Sequence, residues 1–106
     1  QIWYLDLFAG KNDHEAVQRA GESGHKEINR TNLSTDQITE GLKKDVVQKQ
    51  LALIRMRNTH KAFSEGAEVA ISGGEKSLEI RWEYNSAFAT LYVNFESGTY
   101  TIVESK

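Results

Sequence analysis

The chain has 106 residues, 39% hydrophobic and 26% charged, with a net charge of −2 and a pI near 5.9. That balance suits a small globular unit or a piece of a larger one; it argues against disorder and gives no support to a nucleic-acid partner, which would call for a basic face. There is no cysteine for a disulfide or thiolate metal site, and no apolar run of the ~20 residues that a bilayer-spanning helix needs.

The opening run Ile2-Trp3-Tyr4-Leu5-Asp6-Leu7-Phe8 does not alternate between apolar and polar residues. It reads as a strand buried on both faces, the kind found inside parallel sheets. Such a strand needs parallel neighbours, each reached by a crossover of a dozen or more residues. The expectation is therefore a chain that begins inside a larger architecture.

A polar loop follows from Gly10. Asp13 is placed to cap a short helix through Ala20, with Ala16, Val17 and Ala20 as its apolar face and Glu15 near the positive end of the dipole. Gly21 and Gly24 stop that helix. His25 to Leu33 has no period and holds Asn29, Thr31 and Asn32, whose side chains readily bond nearby backbone. Long loops in compact domains are usually functional, so this one is the first candidate site.

Ser34 opens a second helix, Thr35 to Leu42, with Gln37 at the capping-box spacing. Asp45 is read as the cap of a third, Val46 to Asn58. Its apolar stripe runs along Leu42, Val46 and Leu53 and the adjoining line Val47, Leu51 and Ile54. Lys49, Arg55, Arg57 and Lys61 lie towards its C-terminal half, where the dipole favours cations.

From Gly66 the period changes to two. Ala67 to Ser72 reads as a strand, with a turn at Gly73-Gly74-Glu75-Lys76. Leu78, Ile80, Trp82 and Tyr84 alternate with charged residues, Asn85-Ser86 turns the chain, and Ala87 to Phe95 alternates again. After Glu96-Ser97-Gly98, Thr99 to Val103 makes the last strand. The pattern is an antiparallel meander with one buried face. The division is thus residues 1–62, an α/β remnant of strand, loop and helices, and residues 63–106, a small all-β domain. In α/β barrels the chemistry sits in loops after the strands, the place that residues 9–33 occupy.

Chemistry-bearing residues are sparse. His14, His25 and His60 show no metal-ligand spacing, Gly21-Glu22-Ser23-Gly24 is no phosphate loop, and neither Ser34 nor Ser64 has a His/Asp arrangement beside it. Retaining glycosidases use two carboxylates about 5 Å apart. Here Asp13 is explained as a cap, Glu27 as a solvated charge beside Lys26, and Asp6 as a group that pairs with a cation from an adjoining part of the fold. Arg30 can donate a bidentate fork to hydroxyls or a carboxylate, or form a structural ion pair. Phe88 and Tyr92 fall on the sheet face opposite Leu91 and Val93, as a sugar platform or as a surface covered by a neighbour.

Three segments together resemble the C-terminal part of the sucrose phosphorylase subgroup of the α-amylase superfamily. They are Trp3-Tyr4-Leu5-Asp6-Leu7-Phe8-Ala9-Gly10-Lys11-Asn12-Asp13, Glu27-Ile28-Asn29-Arg30, and Val46-Val47-Gln48 through Leu53-Ile54-Arg55-Met56-Arg57-Asn58-Thr59 to Ala62-Phe63. The resemblance implies the last strand (residues 2–8), active-site loop (9–33) and last helix (46–58) of a (β/α)8 barrel, followed by a C-terminal antiparallel β-domain. It implies a cytoplasmic, cofactor-free enzyme that phosphorolyses sucrose to α-glucose 1-phosphate and fructose with retention, its catalytic carboxylates on earlier strands outside this chain. A fragment of this kind would be inactive alone, its partners being inorganic phosphate, an α-glucoside and the remainder of the barrel. Arg30 matches the family arginine that lines the glucose pocket, and Asn29 helps set its loop. Thr31-Asn32-Leu33 stands where the family commonly has His-Tyr-Tyr, and Lys44-Asp45 where it has Arg-Pro. The first change lies on the acceptor side, leaving fructose, fructose 6-phosphate, glycerate and glycerol as acceptors. A stand-alone carbohydrate-binding or interaction module is the alternative reading.

Overall fold

The structure, a computed structural model, describes all residues from Gln1 to Lys106. Two compact units form, residues 1–54 and 55–106, with the division inside one long helix.

The first unit is helical. A single turn, α1 (Tyr4–Leu7), precedes α2 (His14–Ala20), a 3₁₀ segment (Gly21–Glu27), α3 (Thr35–Leu42) and α4 (Asp45–Thr59). The strand expected at Ile2–Phe8 is not formed. Its peptide groups close locally instead: Leu7 N donates to Trp3 O at 2.9 Å, Phe8 N to Tyr4 O at 3.1 Å, and Gly10 N to Leu5 O at 2.8 Å. Only Leu5 of the run is buried, while Ile2, Trp3 and Tyr4 are exposed. The Asp6 carbonyl accepts from Gln50 Nε2 at 3.4 Å.

The caps follow the sequence closely. Asp13 Oδ1 accepts from Ala16 N at 2.9 Å. Ser34 and Gln37 make both bonds of the capping box, Gln37 N to Ser34 Oγ at 3.2 Å and Ser34 N to Gln37 Oε1 at 2.8 Å. Asp45 is not the cap of α4. It is the first helical residue, its carboxylate 2.8 Å from Lys49 Nζ one turn on, and the Lys44 carbonyl accepts the first helical bond from Gln48 N. Along α4 the Val47 line is the covered one: Val47 is buried and Leu51 and Ile54 half-buried, whereas Val46 and Leu53 are exposed.

The second unit is the meander β1 (Glu68–Gly74), β2 (Ser77–Tyr84), β3 (Ala87–Asn94) and β4 (Thr99–Glu104), every neighbouring pair antiparallel. Ile71, Ile80, Leu91 and Ile102 stand in register across it, as do Val69, Trp82, Ala89 and Glu104. A 3₁₀ turn, Lys61–Phe63, packs on β2 and β3, with the Phe63 ring 5.2 Å from that of Trp82 and Ala62 and Ala89 fully buried. The opposite face also buries something: Thr90 is 1% exposed, and its hydroxyl accepts from Arg81 Nη1 at 3.2 Å. An arginine stem can roof a polar residue while keeping its charge wet, which alternation alone does not reveal.

Candidate functional site

The active-site loop expected at residues 9–33 is held at its base by backbone and side-chain ties. Asp13 N donates to the Ile28 carbonyl at 2.8 Å, and Thr31 Oγ1 to the Lys11 carbonyl at 3.2 Å. The Tyr4 hydroxyl donates to the Thr31 carbonyl. The excursion through α2 and the 3₁₀ segment therefore leaves and returns at adjacent points, and Arg30 lies between the two ties.

Beside this base runs a groove of about 340 Å³, bordered by Phe8 to Lys11, Thr31 and Leu33 on one side and Gln37, Glu40, Gly41 and Lys44 on the other. Two contacts close α3 onto its floor. A Cβ on Gly41 would sit 3.0 Å from the Phe8 carbonyl oxygen, so glycine alone fits without displacement. The Lys44 ammonium donates to the Ala9 carbonyl at 2.6 Å and the Phe8 carbonyl at 3.4 Å. Ala9 itself takes a left-handed conformation, φ 47°.

The groove can hold a polar ligand but carries no acid–base pair. Glu40 is the one carboxylate on its wall, and it is bound to Lys43 at 2.6 Å. No group of three or more His, Asp or Glu side chains gathers as metal donors. The Asp13 carboxyl has a displaced pKa. The Ala16 N–H holds it below its ordinary value of 3.8, helped by the Arg19 charge and opposed by desolvation.

Arg30 and Asn29, the residues singled out from the sequence, sit at the rim of this base rather than in the groove. The Arg30 guanidinium is exposed and paired with the Glu27 carboxylate at 3.1 Å, and the Arg30 backbone N–H donates to the Glu27 carbonyl at 3.2 Å. Asn29 is half-buried. Phe88 and Tyr92 do share a sheet face, as expected, but they are not an open platform: the Arg81 guanidinium covers Phe88 at 4.4 Å, leaving only Tyr92 exposed. What sequence reasoning missed is the clamp of Gly41 and Lys44 on Phe8–Ala9. A glycine inside a helical pattern was its one visible signal.

No family model matches the sequence. A sucrose 6(F)-phosphate phosphorylase of Ilumatobacter coccineus is 47% identical over 102 residues, 96% of this chain and 19% of that protein. A sucrose phosphorylase of Agrobacterium vitis is 37% identical over 105 residues, 99% of this chain and 21% of that protein. The chain is a homologue of the sucrose phosphorylases. It spans about a fifth of the length of the curated relatives it matches. The crystal structure of sucrose 6F-phosphate phosphorylase from Thermoanaerobacter thermosaccharolyticum superposes on the whole of this chain with a TM-score of 0.88 at 36% identity, over 21% of its own chain. The four-stranded sheet and the helices before it match the C-terminal region of that architecture.

Proposed function

We propose that this chain is part of a retaining α-transglucosidase that uses inorganic phosphate to split sucrose, free or phosphorylated on the fructosyl unit, giving α-glucose 1-phosphate. The observation that carries the reading is identity of 47% sustained over 96% of the chain. In this reading residues 1–62 are the end of the catalytic (β/α)8 barrel, 63–106 its C-terminal β-domain, and the enzyme is cytoplasmic.

The reaction is a double displacement. A carboxylate attacks the anomeric carbon while a carboxylic acid protonates the departing fructosyl oxygen, leaving a glucosyl ester. A phosphate oxygen then attacks the same carbon, expels the carboxylate and restores the configuration. Those groups come from the remainder of the barrel. The part assigned to this chain is binding: Arg30 donates to glucosyl hydroxyls, and Asn29 shapes its turn. The relative named for sucrose 6(F)-phosphate favours fructose 6-phosphate over fructose as the leaving sugar, and Thr31-Asn32-Leu33 lies where that choice would be made.

The test is glucose 1-phosphate release by the full-length protein from sucrose and from sucrose 6F-phosphate, each with inorganic phosphate. Faster turnover of the phosphorylated sugar is expected. No release from either substrate overturns the reading.

A further inference from the structure

We propose that Lys44 is a positioning residue for the Arg30 loop. The proposal rests on the reading above, in that Arg30 must bind substrate for its position to matter.

The ammonium of Lys44 is the donor to two consecutive carbonyls, Ala9 at 2.6 Å and Phe8 at 3.4 Å, from a residue 35 and 36 positions away in sequence. These carbonyls follow the single turn α1, where acceptors outside the helical bonds need a donor. The bond holds Ala9 in its left-handed turn, φ 47°, and this turn directs the chain into Lys11. The Lys11 carbonyl in turn receives the Thr31 hydroxyl at 3.2 Å, and Thr31 adjoins Arg30. A continuous path of bonds thus runs from Lys44 to the residue after the arginine. Arg30 has no comparable anchor of its own, because its single side-chain partner, Glu27, is a local and exposed one. With the side chain so free, the placement of the guanidinium depends on its backbone.

Loss of the clamp lets the Phe8–Lys11 turn relax and the arginine with it. An ångström of misplacement in a binding group costs up to about a hundredfold in rate. In the full-length protein, Lys44→Met is therefore expected to lower kcat/KM by roughly ten- to a hundredfold. Lys44→Arg, which keeps a cation within reach of the two carbonyls, restores it. Amide exchange at Arg30 and Thr31 speeds up in Lys44→Met and not in Lys44→Arg, a readout independent of activity.

A double-mutant cycle separates this role from general stability: in an Arg30→Ala background, Lys44→Met costs no further activity. Additive losses overturn the proposal, as does wild-type kinetics or unchanged amide exchange in Lys44→Met. If Arg30→Ala alone is silent, the assignment of Arg30 to the sugar falls, and the proposal falls with it. A silent Lys44→Met beside an impaired Arg30→Ala removes only the positioning role.

Discussion

Gly41 lies so close to Phe8 that a Cβ placed on it would sit 3.0 Å from the Phe8 carbonyl oxygen and 3.1 Å from the Phe8 Cβ. In an ordinary helix, alanine for glycine gains about 1 kcal/mol. Here the neighbour is backbone, and the Lys44 ammonium holds it in place. Overpacking of this kind costs about 1–3 kcal/mol, so crowding wins. Gly41→Ala is expected to lower stability by about 1 kcal/mol, read as a fall in Tm. The loss should shrink in a Lys44→Met background, where the Phe8 backbone can give way; an equal loss there would place the crowding elsewhere.

Asp13 gives the first unit an acid-sensitive cap. Its carboxyl is held below its ordinary value first by the Ala16 N–H and further by Arg19, whose Nη2 lies 3.3 Å away. A carboxyl with a lowered folded-state pKa stabilises the fold above its unfolded value, and that contribution is lost as pH falls through the folded one. The cap's contribution should therefore be complete at neutral pH and fade below pH 3.8, where the unfolded carboxyl titrates. Asp13→Asn retains a capping oxygen but removes the titration. The difference in Tm between about pH 6 and about pH 2, roughly two units either side of a free aspartate's value, should narrow in this variant. An unchanged difference would assign the acid sensitivity to other carboxylates.

His60 ties the end of the second unit together. Its Nδ1 accepts from Ala62 N at 3.2 Å, which leaves the proton on Nε2, and Nε2 donates to the Ser105 carbonyl at 2.9 Å. Ser105 in turn bonds Phe88 twice, N to O at 2.9 Å and Oγ from Phe88 N at 3.0 Å. His60→Ala removes both imidazole bonds beside a half-buried turn and should cost about 1–2 kcal/mol of stability. Chemical denaturation checks it, and a change within error would show that water replaces the ring.

Local signals in this chain were legible because they depend on neighbours in sequence. The Ser34–Gln37 capping box, the Asp13 cap and the two-residue period of β2 and β3 each follow from residues a few positions apart. What was not legible depended on what lies across the fold. The apolar run at Ile2–Phe8 carries no information about which strands lie beside it, and without a ladder it closes into a helical turn. Lys44 and His60 sit in no local pattern that marks a role for either. Their roles come from carbonyls 35 and 45 residues away, which no spacing rule reaches. Arg30 stood out from the sequence as a fork donor with either a substrate or an ion pair as its partner, and the glucose pocket is only what the resemblance implies for it.

The arginine offers the sharpest test because its two readings differ in magnitude. An exposed pair such as Arg30–Glu27 contributes about 0–1 kcal/mol, so a purely structural arginine can be removed with little effect. An arginine that donates to a bound sugar forfeits charge-assisted bonds when it is removed, worth about 1.5–3 kcal/mol each. In the full-length protein Arg30→Ala should therefore lower kcat/KM by about a hundredfold or more while leaving Tm within about 2 °C. Glu27→Gln removes the same ion pair but keeps the arginine, and should leave kcat/KM within about threefold. If the two variants lose activity equally, the ion pair itself is what matters and the guanidinium is scaffold. If only Arg30→Ala loses it, the side chain's partner in function is the substrate, and Glu27 merely parks the guanidinium when the pocket is empty.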